Sequence, residues 1–429
     1  MPSLHSPTIA LRRLRGRLAR LFFGGFFRFL VVAVSLSEWC VIWWLFPDFV
    51  ESLPAAGQVT GPLLFYIINQ ALAVSSQPLR RHRVWLGPAR RCYYAFAFTS
   101  LFCASFLAVT GVLWMAAKGS LGAIAQARTA GAGLLVDSNL DTSFRWLANA
   151  GMAVISIAFA YGYTIGQWRL RITRLRLPLR HCPPALNGLR IVQVSDIHIG
   201  QNLTRKQLAG FVARVNELRP DLICITGDII DSPSARIESS LQVLAQLHAP
   251  YGVFAILGNH DHYAGAARVE ALLRRCTGFT VLRDQRTAIT IRGHRLHIVG
   301  LDDRGRDWAR GVKGTRHLTA TLAAIAPCEP VLLLSHRPDI FAQAAAAGVA
   351  LTLSGHTHGG QIGVPWFNGR VRNLAEFVTR FDRGLFERDG RYLYVNCGLG
   401  VTGQRVRLCT PREITLIQVQ NLPSRALAA

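Results

Sequence analysis

Four apolar stretches precede residue 170, at roughly 22–46, 62–79, 93–117 and 147–168. The first, third and fourth are each long enough, at a helical rise of about 1.5 Å per residue, to cross a hydrocarbon core of about 30 Å. Inside lipid every backbone N–H and C=O must be satisfied internally, so such segments are restricted to helices. The second stretch, "PLLFYIINQALAVSSQPL", is shorter and carries Asn69 and Gln70 near its middle. It is expected to span, with a re-entrant hairpin as the alternative. Trp39, Trp43, Trp44, Trp114 and Trp168 fall near the ends of the stretches, where interfacial anchors belong. Glu38 lies inside the first stretch, toward its outer end, and is expected to reach water. A cleaved signal peptide does not fit residues 1–46: the apolar run is too long, no small-x-small pattern follows, and more apolar stretches come after it.

Charge sets the expected orientation. Lys and Arg number 48 against 24 Asp and Glu, a formal +24, which implies an anionic partner such as lipid or nucleic acid. Residues 1–180 hold 19 basic and 5 acidic residues, and the remainder 29 and 19, so the excess falls on both halves. In the first half it is concentrated in "LRRLRGRLAR", "RRHRVWLGPARR" and "RLRITRLRLPLR", with five arginines each. The intervening loop 47–61 has no Lys or Arg, and loop 118–146 has only Lys118, Arg128 and Arg145. The positive-inside rule then makes the three Arg-rich flanks cytoplasmic, and with four spans both termini as well. These arginines need no nucleic acid to account for them, because each contributes roughly 1 kcal/mol beside anionic headgroups. The stretches carry few polar residues of the kind that line a transport path. Nine cysteines without a C-x-x-C pair read as reduced thiols rather than a disulfide framework.

From about residue 188 the pattern changes to short β-branched runs alternating with amphipathic stretches, an α/β signature. Five of the runs end in polar residues of ligand type. "LRIVQVSDIHIG" delivers Asp196 and His198, "PDLICITGDIID" Asp228 and Asp231, and "VFAILGNHDHY" Asn259, His260 and Asp261. "PVLLLSHRPDIF" delivers His336, and "VALTLSGHTHGGQ" His356 and His358. Any one of these would read as a cap or a turn residue. Together they converge on the C-terminal edge of a sheet, where α/β folds bind ligands. Oxygen and imidazole donors of this kind suit Mn, Fe or Zn.

In order, the blocks "SDIH", "GDIID", "GNHD", "LLSH" and "SGHTH" are similar to the signature of the calcineurin-like metallophosphoesterases. The resemblance covers roughly residues 188–420, and "SGHTHGGQIGVP", "YVNCGLG" and "TPREITLI" resemble the family's bacterial membrane-anchored branch. It implies two packed mixed β-sheets flanked by helices, and the apolar stretches place before them an N-terminal α-helical membrane domain of about four spans. The expected boundaries are 1–168 for the membrane domain, 169–187 for a basic linker, 188–420 for the phosphoesterase domain and 421–429 for a tail.

The resemblance also implies two divalent metal ions, manganese first, with iron or zinc as alternatives, and hydrolysis by a hydroxide bridging them. Asp228 would be the bridging ligand. Asp196, His198 and His358 would complete one metal position, and Asn259, His336 and His356 the other. His260 resembles the family's general acid. Asp231 would brace the site, Asp261 would orient His260 or cap a turn, and His262 and Tyr263 would touch substrate or line the loop.

The expected protein is a metal-dependent phosphodiesterase or pyrophosphatase in a bacterial inner membrane, with its catalytic domain in the cytoplasm. The substrate is expected to be lipid-linked or membrane-proximal, such as UDP-2,3-diacylglucosamine. The basic, aromatic loop 302–317 would either dock a headgroup or be a solvated loop. Alternatives are a broad phosphodiesterase acting on soluble esters with the spans as a tether, or a signalling or transport protein with a regulatory phosphoesterase domain. Nucleic acid is not expected as a partner, since no basic-aromatic platform motif is evident.

Overall fold

The computed structural model describes residues 25, 28–75, 86–126, 133–179, 182–200, 202–231, 236–303, 315–326 and 329–421. The first Arg-rich flank, half of the second, most of loop 302–317 and the tail beyond residue 421 lie outside the described residues. The chain divides into two units, Met1–Ala160 and Tyr161–Ala429.

The first unit is helical: α1 (Arg28–Leu45), α2 (Pro47–Ser52), α3 (Ala55–Ser75), α4 (Leu86–Gln126) and α5 (Gly133–Thr164), the last running into the second unit. Among the described residues three helical segments are long and apolar enough to cross a membrane, Arg28–Leu45, Gly87–Ser120 and Leu140–Trp168. The second apolar stretch is not one of them. Its described residues lie in a single helix, α3, and Asn69 and Gln70 dilute its hydropathy. The same Asn69 corrects the expectation for Glu38, which does not reach water and is fully buried. Asn69 Nδ2 donates to Glu38 Oε2 at 2.7 Å and to Ser35 Oγ at 3.0 Å. A carboxylate in one apolar helix thus explains a polar residue in another, a pairing worth about 0.6–2 kcal/mol.

The second unit has fourteen strands among the described residues. They are β1 (Leu170–Leu179), β2 (Arg190–Val194), β3 (Leu222–Thr226), β4 (Val253–Ile256), β5 (Thr280–Val281), β6 (Gln285–Ile291) and β7 (His294–Gly300). Then follow β8 (Val331–Leu334), β9 (Leu351–Ser354), β10 (Gly363–Pro365), β11 (Val371–Asn373), β12 (Gly384–Arg388), β13 (Arg391–Val395) and β14 (Arg412–Asn421). Two six-stranded sheets have the orders β1-β14-β2-β3-β4-β5 and β12-β13-β9-β8-β7-β6, with β10-β11 a separate hairpin. Both sheets are mixed: β14 pairs antiparallel with β2 amid parallel neighbours, and β6 and β12 pair antiparallel at the ends of the other.

Strand periodicity assigns the faces. Ile191, Leu222, Cys224, Phe254 and Ile256 of the first sheet pack with Ile298, Leu332, Leu334, Leu351 and Leu353 of the second in one buried cluster. The alternate residues Val192, Val194, Ile223, Ile225, Val253 and Ala255 pack outward with Leu208, Val212, Leu241 and Leu273. Those four residues lie on α6 (Arg205–Glu217), α7 (Ile237–Leu244) and α9 (Ala266–Thr277). A five-residue helix, α8 (Asn259–Tyr263), precedes α9. The outer face of the second sheet, through Val299, Val331 and Leu333, meets Leu318 of α10 (Thr315–Leu322) and Ala344 of α11 (Phe341–Ala346). Burial on both faces is why the runs read as continuous apolar strings rather than clean alternation.

The stretch 169–187 departs from the expected linker. Leu170–Leu179 is strand β1, paired in parallel with β14 over ten residues, Leu170 opposite Arg412 through Leu179 opposite Asn421. Leu177 and Leu179 turn into the inter-sheet core, so the alternating "RLRLPL" is an edge-strand pattern, apolar inward and arginine outward.

Candidate metal centre

Each predicted ligand sits in the loop just beyond a strand of one sheet or the other. Asp196 and His198 follow β2, Asp228 follows β3, Asn259 follows β4, His336 follows β8, and His356 and His358 follow β9. Gln193, buried between the sheets, ties these loops together. Its Nε2 donates to Thr226 Oγ1 (3.0 Å) and Ser354 O (2.9 Å), linking three ligand-bearing strands. Asp196 N donates to Gly227 O and His198 N to Asp228 O, each at 3.0 Å, so the first two loops continue as a ladder.

Five of these residues adopt left-handed backbone: Asp196 (φ 48°), His198 (53°), Asp228 (51°), His356 (72°) and His358 (53°). Such conformations are uncommon outside glycine and cost on the order of 1–3 kcal/mol where strained. They turn successive side chains toward one point. Close approach of the loops also requires glycine at 258, where a Cβ would collide with Asp228 Oδ1.

Seven side chains converge, all but His356 buried. His198 Nε2 and His358 Nε2 are 3.1 Å apart, and His358 Nε2 is 3.4 Å from Asp196 Oδ1. His336 Nε2 lies 3.2 Å from Asn259 Oδ1 and 3.3 Å from His356 Nδ1. Asp228 Oδ2 stands between the groups, 3.7 Å from His198 Nε2 and 3.3 Å from His336 Nε2. Ligand bonds of about 2.1 Å in tetrahedral or octahedral geometry put neighbouring donors about 3.0–3.4 Å apart. The donor set therefore fits two cations sharing one carboxylate. His336 Nδ1 donates to Thr226 O at 2.8 Å, which turns Nε2 toward the other donors, the usual second contact of a metal-binding histidine.

The charges of the cluster are strongly interdependent. Burial works against ionisation of Asp228, but the neighbouring His336, with His198 and His260, outweighs it and holds the carboxyl well below its usual range. Burial likewise opposes the charge on His336, yet Asp228 raises that imidazole to about 10. His356 is pushed down to about 3 by burial and by the adjacent His336.

His260 is placed differently. Its Nδ1 donates to Asp231 Oδ1 at 3.0 Å, and its Nε2 faces the cleft, 3.5 Å from Thr402 Oγ1. Burial lowers its basicity, but the Asp231 hydrogen bond and the fields of Asp228 and Asp231 prevail, so it stays protonated to higher pH than a free imidazole. Asp231 also lies 3.4 Å from His198 Nδ1. Asp261, by contrast, does not face the His260 ring. It accepts from Gly258 N (2.9 Å), Ile229 N (3.1 Å) and Ile230 N (2.8 Å), stitching two ligand loops together, and burial raises it to about 6. His262 Nε2 pairs with Asp302 at 2.9 Å, and Asp302 also accepts from Arg283 at 2.8 Å. Tyr263 is half exposed, its ring 5.4 Å from that of His260.

The cleft over the centre has a volume of about 490 Å³. Besides Asp228, Asn259, His260, His356 and His358 it is lined by residues the sequence reading did not single out, including Arg337, Gln361, Leu374, Val378 and Thr402. Adjacency to His336 was the available signal for Arg337. Arg407 gave no signal at all. Fully buried, it donates through Nη2 to the carbonyls of Cys397 (2.8 Å), Gly398 (3.2 Å) and Gly400 (2.7 Å) and through Nη1 to Thr410 O (3.0 Å). Gly400 N in turn donates to Asp196 O at 2.6 Å, so this guanidinium fixes the loop against Asp196. Arg407→Met is expected to strand several carbonyls, cost roughly 3 kcal/mol and lower the unfolding midpoint by roughly 5 °C. Thermal unfolding of the detergent-solubilised protein checks this, and an unchanged midpoint refutes it.

The sequence comparisons agree with this geometry. The calcineurin-like phosphoesterase profile matches residues 189–360. The metallophosphoesterase YkuE of Bacillus subtilis is 30% identical over 275 residues, covering 63% of this chain and 93% of its own. A Danio rerio protein named transmembrane protein with metallophosphoesterase domain is 31% identical over 285 residues, covering 64% of this chain and 63% of its own. The UDP-2,3-diacylglucosamine pyrophosphatase LpxG of Chlamydia trachomatis is 29% identical over 303 residues, covering 58% of this chain and 89% of its own. With its fold, its converging donors and a relative matched over nearly its whole length, the chain belongs to the calcineurin-like metallophosphoesterases, metal-dependent hydrolases of phosphoesters.

Proposed function

We propose that this chain is a membrane-anchored phosphodiesterase or pyrophosphatase acting on a lipid-linked phosphoester of the UDP-2,3-diacylglucosamine type. The observation that carries the chemistry is the position of Asp228 Oδ2 between His198 Nε2 and His336 Nε2. Asp196, His198, His358 and Asp228 would hold one cation, and Asn259, His336, His356 and Asp228 the other. Two divalent ions there would neutralise charge on the phosphoryl oxygens and supply a water acidic enough to attack near neutral pH. A donor set of carboxylate, amide and imidazole without thiolate favours manganese, with iron or zinc as the alternatives. Asn259 contributes an oxygen without adding negative charge beside an anionic substrate. His260, oriented by Asp231, gives its Nε2 proton to the leaving oxygen.

The lipid-linked substrate is supported by the LpxG relatives, named for hydrolysis of UDP-2,3-diacylglucosamine, and by apolar Leu374 and Val378 on the cleft wall. Membrane anchoring is supported by the three apolar helical segments and by the transmembrane relative. The arginine bias of the flanks favours an inner-membrane protein with its catalytic unit in the cytoplasm.

The test uses the full chain loaded with Mn²⁺ and assayed on bis(p-nitrophenyl) phosphate and on UDP-2,3-diacylglucosamine in mixed micelles. The expected result is cleavage of the lipid pyrophosphate to a nucleoside monophosphate and a lipid phosphate. Hydrolysis of the soluble ester with the lipid left intact would make the helices a tether and move the substrate class to soluble phosphodiesters.

A further inference from the structure

Beside the metal cleft stands a rim built from residues 363–383. Strands β10 and β11 form its hairpin, closed at the tip by Trp366 N donating to Arg370 O (2.8 Å) and Gly369 N to Trp366 O (3.0 Å). Immediately after it Asn373 caps the turn Leu374–Phe377: its Oδ1 accepts from Ala375 N at 2.9 Å, and Glu376 Oε1 accepts from Asn373 N at 3.2 Å. Capping and pairing fix this backbone, and what it holds outward is apolar. Phe367 is 99% exposed and Phe377 89%, while Trp366, Leu374 and Val378 are each about half exposed.

Cationic side chains accompany them. Arg370, Arg372 and Arg380 are exposed, and with Arg171 and Arg383 they line a second cleft of about 800 Å³. Arg171 is held by Glu413 and Arg372 by Glu376, each at 2.9 Å, and Asp382 accepts from Asn373 Nδ2 (2.6 Å), so five guanidiniums stand against three engaged acids. Thr379 lines both this cleft and the metal cleft, which places the rim between them.

We propose that this rim is a docking surface for an anionic lipid bilayer, its aromatic side chains entering the headgroup region and its arginines meeting lipid phosphates. Two almost fully exposed phenyl rings on rigid backbone lack a role in water, whereas aromatic and basic residues side by side are what a charged lipid interface accommodates. The complementary charge selects anionic over zwitterionic lipid. Tethering by apolar helices keeps lipid at high local concentration, so even a small patch engages. The proposal rests on the membrane reading of those helices and not on the identity of the substrate.

The test places p-benzoylphenylalanine at Phe367 of the full chain and, in a separate protein, at Leu113, an exposed residue of the apolar segment Gly87–Ser120. Each is reconstituted into vesicles of phosphatidylglycerol mixed with phosphatidylcholine, or of phosphatidylcholine alone, irradiated, and analysed for lipid adducts by mass spectrometry. The proposal expects lipid adducts at both positions in the mixed vesicles. At position 367 the yield should fall roughly fivefold for each of Arg370→Gln, Arg372→Gln and Arg380→Gln, and it should fall in phosphatidylcholine alone, with the yield at position 113 unchanged. Adducts at 113 but none at 367 overturn the docking surface and leave the membrane reading standing. Crosslinks from 367 to a second copy or to the chain itself overturn it in favour of a protein contact. Adducts at neither position overturn both.

Discussion

Asp228→Asn is expected to remove most phosphoesterase activity and to leave the purified protein short of metal. One oxygen of Asp228 faces both groups of donors, and the other accepts from His260 N at 2.8 Å. An amide keeps the shape but loses the charge that two cations would share, and it turns an acceptor into a donor on one side. Charge stabilisation of several kcal/mol is at stake, which at about 1.4 kcal/mol per tenfold is roughly a 10³-fold loss or more. The substitution is unusually clean because Asn tolerates the left-handed backbone at this position (φ 51°), so the loop need not move. Metal content by plasma mass spectrometry and kcat/KM on a soluble diester read the outcome together. Two bound metals with near-normal turnover would remove Asp228 from the bridging role.

The second large effect is expected at His260. His260→Ala should keep the metals and lower the rate by roughly 10²–10⁴-fold on an alkyl ester, whose leaving oxygen needs a proton. The loss should be much smaller on a nitrophenyl ester, whose leaving group departs as a stable anion. The pH profile gives a sharper test. A proton donor works below its pKa and fails above it. Burial disfavours the charged imidazole, but Asp231 and Asp228 more than compensate and raise it. Removing one of those carboxylates lowers the pKa again, so Asp231→Asn, assayed at saturating metal, should shift the alkaline limb of kcat/KM to lower pH. An unmoved limb, or a His260→Ala enzyme within a few-fold of normal on the alkyl ester, would exclude the proton-donor assignment.

These two side chains show how the sequence informs and where it stops. The strand ends were legible because a strand buried on both faces is a short apolar run, and the residue that ends the run also leaves the sheet. That logic located β2, β3, β4, β8 and β9 and the loops after them, where the side chains it singled out lie close together. It could not say which acid beside His260 touches it. Asp261 is adjacent in sequence but bonds three backbone amides, while Asp231, from another loop, holds the ring. Sequence proximity is a poor guide at a turn, where successive side chains diverge.

Long-range pairings were illegible for a similar reason. Glu38 looked exposable because its partner, Asn69, lies on a different helix. The stretch 169–187 looked like a linker because its arginines matched the flanks of membrane segments. Its real determinant is a strand some 240 residues later, β14, whose register nothing local announces. Arg407 was illegible as well, since burial of a guanidinium against carbonyls leaves no periodic trace.

The position of β1 at the margin of its sheet has a further consequence, for how copies of the chain behave toward one another. Among the described strands it has one neighbour, β14, so its other side offers unpaired amides and carbonyls to any passing strand. A ten-residue margin of that kind invites sheet growth from molecule to molecule. Arg174 and Arg176 project from it into solvent, and Pro178 withholds an amide near its end. When two such margins approach, like charges meet and the ladder is interrupted. The arginines that resemble a topology signal thus also act as a guard against polymerisation, and a protein concentrated in the plane of a membrane needs such a guard more than one diluted in a cytosol.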